Sequence, residues 1–434
     1  MKILVVSSHE QEFGGGEGRF AFEFAIEMSK RHEVLLMYPG NVPDVLPPGS
    51  RLTVHPIRSL DYTLPALRGK ELGALVRSLD RFSPDVVHSQ TPWFLGAIAQ
   101  AWACVHGVPF FFTAHELPSK MLEWGLVRYL RGILQSPLLH ALTRTYLVSF
   151  CRHCTGVVAL NRAAADDIRG IGYRGRLFVI PNGRSLALYN GTAPADIQST
   201  EKVLTFVGDF GPRKNQKYLV SMMNHLPEEY RLLLVGHDVD HRYRREVDAA
   251  IGPKLRRRVS CTGRLDHSRI PAQLAKTHLW VSASLMEVQS LAVLEALASG
   301  TPVLGLSNAT IDELVDSRVG MRLDRHATPE QFAQAVRAIC EADAESYRSM
   351  CRNARERVRP YDWANAIRLT EQMYERSLRK GLPARRGTLA IPLLLAAAQM
   401  LIAMILFRVL QLTALAERLQ SRRRMHAAAA VTRA

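Results

Sequence analysis

Cysteine is scarce and scattered in this 434-residue chain, with six residues at 104, 151, 154, 261, 340 and 351. Cys151-Arg-His-Cys154 is the only close pair. It lacks a second Cys/His pair at zinc-site spacing, and Thr155–Ala159 after it reads as a buried strand, so two free thiols in a reducing compartment are expected. Acidic residues nearly vanish near the end. From Arg379 onward ten Lys/Arg stand against one acid, Glu417, leaving only +7 of the net +16 for the rest. Such a tail points to a membrane surface; no nucleic-acid reading motif accompanies it, and no nucleic-acid partner is expected. Internal repeats and low-complexity tracts are missing, which excludes solenoids, propellers and disordered scaffolds. Neither a metal-binding motif nor the Gly-Lys-Ser/Thr of a P-loop is found. The opening run Met1–Ser7 is too short for a signal peptide and reads as a core strand, so the folded body is expected in the cytosol.

What is present is an alternation. The length exceeds one ordinary core, so two domains are expected. Short apolar runs interleave with longer helical stretches, the pattern of parallel sheets covered by helices on both faces. The first half offers strands at Ile3–Val6, Val34–Tyr38, Val86–His88, Pro109–Thr113, Gly156–Ala159 and Leu177–Ile180. Its helices start near Gly18, Leu67, Leu95 and Ala163. The second half has strands at Val203–Val207, Arg231–Val235, Val259–Thr262, Leu279–Ala283 and Pro302–Leu306. Helices there are expected at Gln216–Asn224, Ile270–Lys276, Ala292–Ser299 and Pro329–Ala342. The expected division is an α/β domain over 1–185, a linker over 186–200, a second α/β domain over 201–362 and a closing helix over 363–380. A hydrophobic segment over 389–415 and a basic tail over 416–434 follow. Two doubly wound sheets that face each other place ligand at the carboxyl ends of their strands, in the crevice between them.

The most informative stretch is Glu287-Val-Gln-Ser-Leu-Ala-Val-Leu-Glu295. Glu287 falls on the loop after a strand, and Glu295 falls one turn inside a helix made of small and apolar residues. A carboxylate in such a buried helix needs a partner, and the two hydroxyls of a ribose supply one. The helix start adds exposed backbone N–H groups, here those of Ser290 and Leu291, and a positive dipole end. Together they form a clamp for a phosphate-bearing polyol, for which a nucleotide-sugar is the natural ligand.

This spacing and its surroundings resemble the glycosyltransferases of family 4, retaining enzymes with the two-domain GT-B fold, over roughly residues 1–375. The resemblance implies that Glu287 meets the donor sugar and Glu295 the ribose. It implies the same for His115 in Thr113-Ala-His-Glu116, as a contact to the donor sugar at the end of a strand. In Phe206-Val-Gly-Asp-Phe-Gly-Pro-Arg-Lys-Asn215 the family pattern of two basic residues holding pyrophosphate is met by Lys214. The family's arginine is replaced by Asp209, which reverses a charge worth on the order of 4 kcal/mol at contact range; Arg213 and Arg264 are the candidates to compensate. After Glu287 the family's Gly-Phe-Gly reads Val288-Gln289-Ser290. Catalytic roles are thus expected for Glu287 and His115, and donor binding for Lys214, Glu295, Ser290, Leu291, Arg213 and Arg264.

On the first domain, Gly14, Gly15 and Gly16 form a loop at a helix start, suited to close approach of a phosphate or an attacking hydroxyl. The resemblance puts this loop on the acceptor side. Read as Gly16-x-Gly18-x-x-Ala21 it formally fits a dinucleotide fingerprint, but Gly16 lies ten residues past Val6, and the second strand runs into Pro39-Gly40 instead of an acid. NAD is therefore not expected, nor is any cofactor or metal, since a nucleotide-sugar would be substrate. His9, Glu10 and Glu116 are further crevice candidates.

Leu389–Phe407 is 19 residues long with Gln399 as its only polar side chain, about 28 Å of helix at 1.5 Å per residue, enough to cross a hydrocarbon core. Basic residues flank both ends, which suits a re-entrant or in-plane helix better, whereas the length suits a full span. Trp124, Tyr129 and Leu130, among Arg128 and Arg131, form a second candidate for membrane contact. The expectation is a transferase on the cytoplasmic face of the cell membrane, moving a hexose from a nucleoside diphosphate to a hydroxyl of a lipid or lipid-linked acceptor. A polysaccharide or lipopolysaccharide acceptor is the first alternative. A silent nucleotide-sugar-binding scaffold, motivated by Asp209, is the second.

Overall fold

The computed structural model describes residues 1–9, 15–39, 46, 49–57, 59–61, 64–65, 69–120, 137–189, 194–379 and 381. Two parallel sheets dominate. The first has seven strands in the spatial order Leu52–Ile57, Glu33–Pro39, Lys2–Val6, Val86–Ser89, Phe110–Ala114, Gly156–Ala159 and Leu177–Val179. The second has six, in the order Val259–Gly263, Tyr230–Val235, Lys202–Val207, Leu279–Ser282, Val303–Leu306 and Gly320–Leu323. All of these pairings are parallel. Helices cover both faces, which is why central strands such as Val86–Ser89 and Leu279–Ser282 are buried throughout.

In each sheet the chain winds outward in one direction, then returns to the middle and winds in the other. The reversal falls between Lys2–Val6 and Val86–Ser89 in the first sheet, and between Lys202–Val207 and Leu279–Ser282 in the second. Loops diverge at such a switch point and leave room for a ligand. His9, Gln90 and His115 follow strands of the first sheet; Gly208, Asp209 and Glu287 follow strands of the second.

Four strands escaped the sequence pattern: Leu52–Ile57 and Gly320–Leu323, both at edges of the large sheets, and Ser59–Asp61 with Leu64–Pro65, a small antiparallel pair. Edge strands bury less, and Leu52–Ile57 carries an exposed Pro56 at a position only an edge tolerates. Helices at Pro137–Arg152, His241–Leu255, Ala309–Leu314 and Ala344–Val358 were also not expected. His241–Leu255 shows why: it buries only Tyr243, Val247 and Leu255 and contains Gly252-Pro253, so its apolar stripe is thin. The helix expected near Gly18 begins earlier, at Gly15, so Gly15 and Gly16 belong to its first turn.

Trp363–Arg379 is a helix whose buried residues, Trp363, Ala366, Ile367, Thr370, Met373 and Tyr374, recur at three- and four-residue spacing. This stripe packs on the first domain, with Ile3, Val5, Phe20, Phe24 and Phe111. Trp363 lies so close to Gly183 that a Cβ there would stand 2.1 Å from its ring, so glycine is required. The Tyr374 hydroxyl meets His88 Nδ1 at 2.5 Å, and Thr113 Oγ1 lies 2.7 Å from Nε2. Burial pushes this histidine down to about 3. Cys151 and Cys154 are buried in the first core. The hydrophobic segment expected at 389–415, the tail at 416–434 and the trio Trp124, Tyr129 and Leu130 lie outside the described residues. Among those described, no helix is long and apolar enough to cross a membrane.

Candidate active site

The loop after Lys202–Val207 is built for tight approach. A Cβ on Gly236, at the end of the neighbouring strand, would fall 2.0 Å from the Gly208 carbonyl oxygen. The chain then turns through Asn215, which takes a left-handed φ of 56°, and enters the helix Gln216–Met222. Asparagine tolerates that conformation better than most residues. Gln216 Nε2 donates to the Asp209 carbonyl at 2.9 Å, and the Leu285 N–H donates to the Arg213 carbonyl at 2.8 Å. This second bond ties the Lys214 loop to the Glu287 loop.

Lys214 Nζ makes a direct ion pair with Glu287 Oε1. Burial is the largest influence on Glu287 and pushes its carboxyl up. Lys214 and Arg213, with hydrogen bonds from Lys214 and Ser284, outweigh it and hold the group below the usual carboxylate range. Glu287 is therefore an anion at neutral pH, positioned to stabilise positive charge. The two residues named from sequence spacing do meet, across 73 residues of chain.

Glu295 is 3% exposed and is met by cations from the other side of the crevice. Arg184 Nη2 lies 2.5 Å from Glu295 Oε1, and Arg184 Nη1 donates to Glu23 Oε2 at 2.6 Å. Arg184 is itself 2% exposed. Arg19 Nη1 stands 3.6 Å from the same Glu295 oxygen and Arg19 Nε 2.8 Å from Glu23 Oε1. His267 Nε2 is 3.8 Å from it, and burial outweighs that carboxylate to push this histidine down to about 4. A cavity of about 280 Å³ opens beside Glu295, lined among others by Arg19, Gly208, Asp209, His237 and Arg264. Arg264 is exposed on that wall.

The first domain closes the other side. His115 Nε2 lies 2.9 Å from Gln90 Oε1, and its ring centroid is 4.9 Å from that of Phe20. Burial pushes His115 down to about 4, so it is neutral at pH 7 and a source of hydrogen bonds, not charge. His9 Nδ1 lies 3.0 Å from Glu17 Oε1; burial lowers His9, but Glu17 and Glu116 more than offset it and raise its affinity for a proton. Glu116 is exposed. Gly16 faces the start of the helix Leu291–Ser299, where a Cβ would come within 4.0 Å of Leu291 Cδ1. Gly14 and Glu10 lie outside the described residues.

The helix start differs from expectation in one respect. The Ser290 N–H donates to Thr310 Oγ1 at 2.9 Å. It is occupied by the protein itself in this arrangement, because the helix Ala309–Leu314 packs its first turn there. Val288-Gln289-Ser290 also has a task that spacing did not reveal. Gln289 Nε2 donates to the Leu160 carbonyl at 3.0 Å, and the Asn182 N–H donates to Gln289 Oε1 at 2.6 Å. Asn161 Nδ2 donates to the Val288 carbonyl at 2.7 Å. This loop docks the second domain on the first. Arg184, Arg19, Glu23 and Gln289 had no motif to mark them, since each acts on a partner more than 100 residues away or on a cavity wall that only folding assembles.

Two family models divide the chain: Glycosyltransferase Family 4 over residues 14–188 and Glycosyl transferases group 1 over residues 192–357. The chain is 25% identical over 322 residues to a sulfoquinovosyl transferase of Arabidopsis thaliana, covering 70% of this chain and 59% of that protein. It is 26% identical over 253 residues to an alpha-monoglucosyldiacylglycerol synthase of Streptococcus pneumoniae, covering 55% of each. It thus spans little more than half the length of these curated relatives. In shape it is similar to HepE of Anabaena, solved with UDP and glucose, at a TM-score of 0.70 and 19% identity, covering 87% of this chain and 100% of that one.

Proposed function

The chain belongs to the glycosyltransferases of family 4, with a GT-B fold, and from that premise we propose that it moves a hexose from a nucleoside diphosphate to a hydroxyl of a membrane lipid or lipid-linked acceptor. The observation that carries the donor is the pair Glu287 and Glu295. Both are buried, each is met by a cation, and Glu295 borders a cavity of about 280 Å³ at the end of a central strand. The ribose is held by Glu295, the diphosphate lies along Lys214, Arg213 and the Leu291 N–H, and the sugar reaches Glu287 and His115.

In the transfer, the bond from the anomeric carbon to the diphosphate oxygen breaks and its electron pair leaves with the diphosphate. The acceptor oxygen bonds to the same face of that carbon, and its proton passes to the departing diphosphate. Lys214 and Arg213 stabilise charge that grows on the leaving group, while anionic Glu287 stabilises charge that grows on the sugar. Retention of configuration is implied by the family. One relative is named for a sulfoquinovosyl transfer and another for the synthesis of a monoglucosyldiacylglycerol, and the second name supports a lipid acceptor. Residues 389–415 and the basic tail are the proposed membrane contact, at the cytoplasmic face. A glycan acceptor is the second reading, favoured by the match to glycogen synthase of Mycobacterium tuberculosis, 26% identical over 332 residues.

The test is sugar transfer from UDP-, GDP- and ADP-linked hexoses to acceptors presented in liposomes or as soluble glycans. Transfer to the liposome acceptor, reduced at least about 100-fold in Glu287→Gln, is the expected result. Transfer to soluble glycan alone would give the acceptor to the second reading, and unchanged turnover in Glu287→Gln would remove Glu287 from the site.

A further inference from the structure

Resting on the proposed donor, we infer that Arg19, delivered by the first-domain helix Gly15–Ser29, binds the donor's diphosphate from across the crevice and offsets the carboxylate of Asp209.

The argument is a charge inventory of the cavity. Its wall carries two carboxylates, Asp209 and Glu295, both unfavourable to a diphosphate. Glu295 is neutralised by Arg184 at 2.5 Å, but that guanidinium is shared with Glu23 at 2.6 Å and is buried behind the wall. Lys214, which pairs with Glu287, and Arg213 approach the donor from the neighbouring loop and do not line this wall. His267 is held uncharged by burial. The arginines that line the wall are Arg19 and Arg264. Arg264 is exposed to solvent, where screening weakens it. Arg19 is more sheltered, with 25% of its side chain accessible, and its guanidinium is oriented by Glu23 through Nε at 2.8 Å. Its Nη1 stands 3.6 Å from Glu295, beyond hydrogen-bonding distance. The guanidinium is therefore held at Nε by Glu23 while the residue lines the cavity, and an arginine so placed can grip phosphate oxygens with its remaining N–H groups.

The arrangement has a consequence for order of events. Gly208, Asp209, Lys214 and Glu295 belong to the second sheet's loops and helices, whereas Arg19 belongs to the first. A diphosphate held by both bridges the two halves, so donor binding and crevice closure become one step.

Calorimetric titration of UDP, GDP and ADP into five proteins tests this: wild type, Arg19→Ala, Arg19→Lys, Asp209→Asn and the double variant Arg19→Ala/Asp209→Asn. For the nucleotide that binds, Arg19→Ala should weaken the Kd by roughly 30-fold, as for loss of a charge-assisted contact, and Arg19→Lys by less. Asp209→Asn should tighten binding, and in the double variant it should recover part of the loss. Thermal unfolding of each variant identifies any that fail to fold, in which case Arg19→Lys and Asp209→Asn decide. A Kd in Arg19→Ala within about twofold of wild type, or no tightening in Asp209→Asn, would overturn the assignment of Arg19 while leaving the donor class intact. Failure of the wild type to bind any of the three overturns both.

Discussion

Two buried carboxylates, eight residues apart on one loop and helix, are held in opposite ways. Glu287 meets Lys214 from its own domain, through two loops that a backbone hydrogen bond already joins. Glu295 meets Arg184 and Arg19 from outside its domain, and these share Glu23 on a first-domain helix. The first pair is local and tunes charge; the second is a strut between halves. Removing a partner from each should therefore cost different things, activity in one case and assembly in the other.

The largest effect is expected at the local pair. Lys214→Ala should cut turnover by at least about 100-fold, since charge on the leaving diphosphate loses its stabiliser. It should also raise the carboxyl of Glu287, because burial then acts with less opposition. In the wild type the depressed carboxyl contributes stability above the ordinary pKa that is lost as pH falls through the folded value. The acid limb of the turnover profile should accordingly move to higher pH in the variant, and a limb that stays in place would break the comparison.

At the strut, Arg184→Ala leaves Glu295 buried without its main partner and should cost about 3–5 kcal/mol of stability, read from denaturant midpoints. Arg184→Lys keeps a charge but not the fork that spans Glu23 and Glu295, and should recover only part of the loss. Next in size is Gln289→Ala, which deletes the two hydrogen bonds to Leu160 and Asn182. It should cost roughly 1–3 kcal/mol and widen the distribution of interdomain distances seen by small-angle scattering. An unchanged distribution would show that the Arg184 strut suffices alone. The smallest effect is expected from Thr310→Val, which releases the Ser290 N–H at a cost of about 1 kcal/mol; a lower donor KM would show that this amide reaches the diphosphate once freed.

A pH series sharpens the same contrast on the first-domain side. His115 is pushed down to about 4 and His88 to about 3, both by burial. Between about pH 6.5 and 4 the unfolded chain takes up protons that the folded one refuses, so stability should fall as pH drops through that window. His115→Gln should flatten the slope, measured by denaturant midpoints at each pH.

Much of the fold was written in local patterns. The alternation of apolar runs and helices located both sheets, and the closing helix expected over 363–380 is observed at Trp363–Arg379. The strands Leu52–Ile57 and Gly320–Leu323 were missed because edges bury too little to leave a clear period. At the site, the loop carrying Lys214 and the Glu287–Glu295 spacing were legible: Lys214 pairs with Glu287, and Glu295 lines the cavity. Ser290 was read as a free helix-start amide, which a hydroxyl from a separate helix contradicts.

The sequence by itself determined which residues carry charge at strand ends and helix starts, because those depend on a few neighbours along the chain. Only the tertiary structure decided the partners: Arg184 and Arg19 for Glu295, Gln289 for Leu160 and Asn182. The physical reason is that burial makes an unpaired charge or amide costly, yet says nothing about where along the chain its counterpart must come from. That choice is made when two sheets face each other and bring positions 161 and 111 residues apart onto one guanidinium.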